Sequence, residues 1–427
     1  MKNIFLSLFA AMLLFSCGSN EEITDTFSAD SDLTFEIIDS VAVDYLGRLN
    51  LADISADKNH MLFYDGQRNN FVVTNPAGEI VNEFSKSTDT PDAHGQISFD
   101  PAFFGNDKIV AVGRNGYFIY NFDGSIWKNF KETNLNSNFF MSMIGSKSLH
   151  FTEFGGEQVL LTKGPASFDR EVAVEKSLVD YRSITLVKPN DIQSLGGNTT
   201  SLEDESLEGT EANLEVTKGF TYHLELPQES PYRLMPDFSP MSAGSFISTD
   251  KNKVLVGYGK DMAVYTYEHI NGTFKLINTL NLNPDLIYID KPDAEKNEEE
   301  ISVLGMGSIR MVGGSFGQGS IRSIFLHDNQ IISSYYPGLK PEDRVAPEIK
   351  RSESGSISVS TGNSPKVKNR FQLFIDGVKM GSDFEAPENL SGSGLKDSEY
   401  LWFARNTTDD EEESDFITYY KVKVASK

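Results

Sequence analysis

Cys17 is the one cysteine in 427 residues; it follows an apolar run, IFLSLFAAMLLF (residues 4–15), and precedes a polar one, GSNEEITD. A thiol is a strong nucleophile, but a lone one forms no intramolecular disulfide, and no CxxC pair or Cys/His cluster is present to hold zinc. Six histidines (His60, His94, His150, His223, His269 and His327) are scattered without an i,i+4 pair or an HExxH motif. A histidine metal site therefore requires distant parts of the chain to converge, and hydrogen-bonded, partly buried rings are the plainer expectation. The run DDEEESD, Asp409–Asp415, offers Asp409, Asp410, Glu411 and Asp415 as oxygen ligands, and calcium is the cation that such a set suits. It lacks the spaced carboxylates and glycine of an EF-hand loop, and a solvated hairpin tip accounts for the same residues. Glu298–Glu300 read the same way. Gly305, Met306 and Gly307, followed by GGSFGQGS (313–320), have the composition of a phosphate loop, but the spacing fails at Arg310 and no GK[ST] follows. Tight turns, or an inner strand crowding an axis, explain these glycines. With no GxSxG elbow either, no catalytic residue and no cofactor is assigned. Arg114, Arg310 and Arg322 are candidates to line a central cavity, with surface ion pairing as the alternative.

The amino terminus carries the most specific signal. Lys2 and the apolar run form the n- and h-regions of a secretory signal, the run being shorter than the about 20 residues of a spanning helix. Leu14, Phe15 and Ser16 before Cys17 resemble the lipobox of bacterial lipoproteins, with Phe15 bulkier than the residue most common there. The resemblance implies removal of residues 1–16, diacylglycerol and palmitate on Cys17, and attachment to the lipid bilayer through that acyl anchor. Residues 17–34 lack apolar periodicity and read as the lipidated cysteine and a flexible tether. Asn20, Glu21 and Glu22 resemble the surface-export signal of Bacteroidota lipoproteins. The expected location is the bacterial outer membrane, facing the periplasm or the surface.

Composition decides the class of the remainder. Lys plus Arg is 38 against 62 Asp plus Glu, a formal charge of −24, so the clustered cations that nucleic acid needs are missing and no nucleic-acid partner is expected. Thirty Phe, 16 Tyr and 34 Gly favour strands and tight turns.

Repeats then organise the chain. Residues 58–84 alternate three β-rich runs with turns at Asp65-Gly66 and Asn75–Gly78, and residues 106–130 repeat the design with Asn115-Gly116 and Asp123-Gly124. Residues 251–280 form a third copy, turning at Asn271-Gly272. Weaker copies run over 147–164 with 181–188 and 220–226, over 320–336 with 370–380, and over 399–424. Six stacked meanders make a six-bladed β-propeller, with seven blades the neighbouring count and paired β-sandwiches the rival. The last unit shows two strands, whereas FEIIDSVAVD (35–44) has no partner beside it, so the N-terminal strand is expected to close the C-terminal blade. The propeller domain is thus 35–427, with polar insertions near 189–218 and 339–369 and a short helix within 284–300.

Lipobox, tether and YDGQRNNFVV-like blades together resemble the six-bladed propeller lipoproteins of Bacteroidota, of TolB-like or NHL-like architecture, several groups of which carry no assigned activity. Two functions follow as expectations. One is a non-catalytic scaffold that presents a rigid rim to a protein or glycan partner. The other is a hydrolase or lyase that uses loop carboxylates, with or without calcium, at the axial channel.

Overall fold

The first strand, β1 (Leu33–Asp44), has no hairpin partner beside it in the chain. A computed structural model describes residues 27–427 apart from 87–89, 91, 96, 114, 131–146, 164–181, 193–218, 231–244, 290–316, 345–347, 352–356, 361–364, 398 and 407–415. Blade 1 contains β2 (Asn50–Ile54), β3 (Met61–Asp65), β4 (Asn70–Thr74) and β5 (Ile80–Ser85). Blade 2 contains β6 (Ile97–Phe104), β7 (Lys108–Gly113), β8 (Gly116–Asn121) and β9 (Ile126–Phe130). Blade 3 contains β10 (Leu149–Phe154), β11 (Glu157–Lys163), β12 (Arg182–Val187) and β13 (Phe220–Glu225). Blade 4 contains β14 (Ser245–Asp250), β15 (Lys253–Tyr258), β16 (Ala263–Ile270) and β17 (Thr273–Asn281). Blade 5 pairs β18 (Gln318–His327) and β19 (Gln330–Gly338) with β22 (Arg370–Ile375) and β23 (Val378–Glu385); between its halves lies a hairpin of β20 (Glu348–Arg351) and β21 (Ile357–Ser360). Blade 6 contains β24 (Leu390–Lys396), β25 (Leu401–Arg405) and β26 (Phe416–Ser426), and β1 is its fourth strand.

The chain is therefore a six-bladed β-propeller closed by its N-terminal strand. Closure is an antiparallel register from Leu33 opposite Ser426 to Asp44 opposite Phe416. The final unit differs from the sequence expectation in supplying three strands, because β24 (LSGSGLK) is broken by a register shift between Ser391 and Leu395 and carries no apolar run. No helix forms over 284–289; the rest of that expectation, 290–300, lies outside the described residues. The insertion at 339–369 contains the β20–β21 hairpin, and the one at 189–218 begins with a single 3-10 turn, Pro189–Asp191.

Stacking of blades explains which runs are apolar. In β3 (MLFYD) and β4 (NFVVT) every residue is buried, because each blade covers its neighbour on both faces. The outer strands β5 and β17 are largely exposed and mix polar with apolar residues. Six apolar clusters result, one per blade interface. Blades 1 and 2, for example, share Phe71, Val73, Phe118 and Tyr120, and blades 5 and 6 share Phe35, Phe371, Phe384 and Phe403. The Asn271-Gly272 turn has positive φ at both residues (50° and 80°), as a two-residue hairpin requires.

All six innermost strands, β2, β6, β10, β14, β18 and β24, run the same way around the axis, which gives the propeller two unlike ends. At one end the connections are short: 55–60, 105–107, 155–156, 251–252, 328–329 and 397–400 between first and second strands. Those between third and fourth strands are 75–79, 122–125, 271–272 and 376–377, with 188–219 the long exception. The other end takes 131–148, 164–181, 226–244, 282–317 and 339–369. These are the short-turn face and the long-connection face.

Candidate functional site

The axis is where the blades bring unlike residues together, and its wall is set by the innermost strands. Asp53 on β2 is buried, and its Oδ2 accepts the Phe103 amide at 2.8 Å while Oδ1 accepts the Ile54 amide at 2.8 Å. Lys147, just before β10, donates its ammonium to Asp53 Oδ1, so blades 1 and 3 are linked across the inner strand of blade 2. His150, on the next turn of chain, donates Nε2–H to the Lys147 carbonyl at 3.0 Å. Burial pushes the His150 imidazole down to about 3, with the Lys147 charge adding to the effect, so the ring is neutral at physiological pH.

Two further charges, Asp100 and Lys163, belong to blades 2 and 3. Asp100 on β6 is exposed to solvent yet ringed by protein, and burial raises its carboxyl against the opposing pull of Lys163. Lys163 ends β11 on the long-connection face; burial brings its ammonium down to about 8, with the Asp100 charge opposing. The Lys163 Nζ lies 5.4 Å from the centroid of the Phe246 ring on β14, a cation–π contact. The Lys163–Phe246 contact thus joins blades 3 and 4. None of these residues was singled out by sequence reasoning. A charge interrupting an apolar run marks each of them: NLADI for Asp53, ISFDPAFF for Asp100 and VLLTK for Lys163.

The residues that the sequence did single out are dispersed. His94 is fully buried among Phe71, Tyr64 and Tyr120, donates Nδ1–H to the Gly95 carbonyl at 2.6 Å, and is held down to about 4 by burial. His60 meets Phe122 edge-on at 5.2 Å. His223 and His269 both contact Phe274, at 5.0 and 4.9 Å, and burial lowers both. His327 ends β18 with Nε2 3.7 Å from Asp328. Among the described residues no three His, Cys, Asp or Glu side chains are grouped to hold a metal ion. Asp409, Asp410, Glu411 and Asp415, Glu298–Glu300, Arg114, Arg310, the Gly305–Gly307 stretch, and Leu14, Phe15, Ser16 and Cys17 lie outside the described residues. Arg322, on β18, places its guanidinium 5.1 Å from the Tyr336 ring centroid.

A second set of charges sits at the short-turn face. Lys396, the last residue of β24, donates to the Leu326 carbonyl at 2.9 Å. Burial lowers it to about 8, opposed by Asp250, Asp397, Asp328 and Glu399. Asp250 in turn accepts the Asp328 amide at 2.9 Å, and Lys251 pairs with Asp328 at 2.6 Å. These contacts tie neighbouring blades at the narrow turns.

No family model and no curated protein matches the chain. Among solved structures it is similar to a member of the DUF4221 family from Bacteroides vulgatus, at 12% identity and a TM-score of 0.51, covering 93% of this chain and 100% of that one. A Bacteroides fragilis protein described as exported aligns at 12% identity and a TM-score of 0.49, over 94% of this chain and 99% of that one. No helix among the described residues is long and apolar enough to cross a membrane. The similarity is one of fold, and the fold of this chain is the six-bladed propeller.

Proposed function

We propose that the chain is a lipid-anchored protein of the bacterial outer membrane whose propeller is a binding scaffold for a protein or glycan partner. The observation that carries this reading is the inequality of the two ends. Long connections on a rigid frame are where binding surfaces are built, and five of them leave the same face.

The position of β1 supports the same reading. As the outermost strand of blade 6 it begins on the short-turn face and ends on the long-connection face, where 45–49 lead into β2. Just ahead of it Phe27 packs on the blade 5–6 cluster and the Ser28 carbonyl accepts the Gly381 amide at 3.0 Å. An anchor on Cys17 therefore tethers the short-turn face and turns the long connections away from the bilayer. Residues 18–26 reach at most about 30 Å when extended.

Cys17→Ser tests the anchor. The variant is expected to lose palmitate labelling and to move from the membrane fraction to the soluble one; retained label overturns the assignment. For the scaffold, replacing 339–369 by a short turn is expected to abolish partner capture from detergent-solubilised envelopes, while changes to the 271–272 turn leave it intact. Equal capture by both variants refutes the long-connection face as the binding surface.

A further inference from the structure

The outer rim carries a groove at the seam where blade 6 meets blade 1. Its floor is the end of β1 at Ala42 and Asp44, one wall is Phe416 at the start of β26, and the other is the 77–80 stretch that leads into β5. Asp44 and Phe416 are opposite one another in the closing register, so their side chains leave the same face of the sheet. Gly78 brings the turn against β1: its φ is +86°, and a Cβ there would stand 2.2 Å from the Ala42 carbonyl oxygen. Asn75 fixes the turn in that position. Its Oδ1 accepts the Ala77 and Glu79 amides at 3.0 Å each, and its Nδ2 donates to Glu79 Oε2 at 2.7 Å. The groove has a volume of ≈ 380 Å³, within the range of ligand-sized clefts, about 300–1,000 Å³.

The lining combines two chemistries. Phe416 is 50% exposed and Ile80 39%, which leaves apolar surface open on both walls. Asp44 and Glu79 are exposed carboxylates, and no cationic residue lines the groove among the described residues. There the Asp44 carboxylate has neither a hydrogen bond nor an ion pair, and the Glu79 carboxylate engages Asn75 alone. We propose that this groove receives an arginine side chain of a protein partner, with the guanidinium on Asp44, Glu79 adding to the attraction, and the methylene stem against Phe416 and Ile80. The proposal rests on the scaffold reading and adds the partner's chemistry to it. A calcium ion is a poor match, since it takes about six to eight oxygen ligands and two carboxylates are offered here. An anion is repelled by both carboxylates within a protein of formal charge −24, and a purely apolar side chain leaves them without a counter-charge. Lysine carries the same charge as arginine, but a planar guanidinium pairs bidentately with a carboxylate and stacks on an aromatic face. The walls are preformed, because Asn75 holds the turn and the β1–β26 register holds Asp44 opposite Phe416.

Methyl NMR of the mature chain, labelled at the isoleucine δ-methyl groups, tests the groove. N-acetyl-L-arginine amide is the probe, and its neutral isostere N-acetyl-L-citrulline amide is the control. The Ile80 signal is expected to move on titration with the arginine amide, with a millimolar Kd, and to stay in place with the citrulline amide. Asp44→Asn/Glu79→Gln is expected to weaken binding of the arginine amide by about threefold or more. Both side chains are exposed, so this variant should melt as the unmodified chain does. An Ile80 signal that does not move, an equal shift with the citrulline amide, or an unchanged Kd in the double variant each overturns the site. Sedimentation showing a dimer that the double variant disperses assigns the groove to a second copy of this chain and overturns the proposed partner. Failure on any of these counts leaves the anchor and the long-connection face standing, since their tests involve Cys17 and residues 339–369 instead.

Discussion

Phe35→Ala is the sharpest probe of ring closure. Phe35 lies on β1, 4% exposed, with its ring 4.8 Å from Phe371, 5.1 Å from Phe384 and 5.2 Å from Phe403. The first two partners belong to blade 5 and the third to blade 6, so one side chain of the N-terminal strand joins both. Truncating a buried phenylalanine costs about 3–5 kcal/mol through lost transfer energy and the cavity left behind. Edge-to-face contacts of ~0.5–1.5 kcal/mol each put this site within that range rather than below it. A loss of about 4 kcal/mol, set against an unfolding entropy of ~0.8 kcal/mol/K for a chain of this size, lowers Tm by roughly 5 °C. Trp402 reports the change locally, being 7% exposed in the closing blade with its indole N–H on Asp397 at 3.0 Å. The assay is urea unfolding followed by Trp402 emission in a Trp127→Phe background, where Trp127 is the other, 40% exposed, indole. Ile37→Ala, on the same strand but 37% exposed, is the control and should cost under about 1 kcal/mol. Equal midpoint shifts for the two variants would refute the view that Phe35 fastens the ring.

Other outcomes follow from the same structure. His94 and His150 are held neutral at about 4 and about 3, below the unfolded value near 6.5, so the unfolded chain binds more protons between. Stability is therefore complete above about pH 6.5 and declines as pH falls toward 4, with His94 accounting for about 3 kcal/mol. Urea midpoints at neutral and acid pH check this, and an unchanged slope in His94→Gln argues against it. Asp53→Asn leaves Lys147 facing a neutral amide and is expected to cost about 3–5 kcal/mol, with Asp53→Asn/Lys147→Met recovering most of it. A double-mutant cycle showing no coupling rejects that account. Gly78→Ala forces a side chain into φ +86° and sets its Cβ 2.2 Å from the Ala42 carbonyl oxygen, so Tm is expected to fall by a few degrees. An unchanged melt contradicts that contact between blade 1 and the closing strand.

The middle strands of each blade were legible because stacking buries both their faces: β3, β4, β7 and β8 are almost wholly buried and read as short apolar runs. The inner strands β2, β6 and β14 were not, because each mixes core residues with polar ones such as Asp53, Asp100 and Ser248. β24 was hidden by Gly392 and Gly394, both at positive φ. The insertions were visible as polar stretches, but the face they leave depends on strand direction, which no local pattern encodes. The charged residues of the axis were missed for a related reason. Asp53 and Lys147 meet through the ring, not through the chain, and only the placement of Asp53 inside an apolar run hinted at it.

The pairing of β1 with β26 also orders events in time. Strand β1 emerges from synthesis long before its partner β26 and waits for it, since Leu33 is opposite Ser426. Joining ends so far apart carries a chain-entropy cost of roughly 5 kcal/mol at this separation, offset only when the other blades have stacked and brought the partners together. Until then β26 presents an unpaired edge, able to recruit any extended strand nearby. A chain that lacks β26 leaves β25 as a permanently open edge, with β1 unpaired.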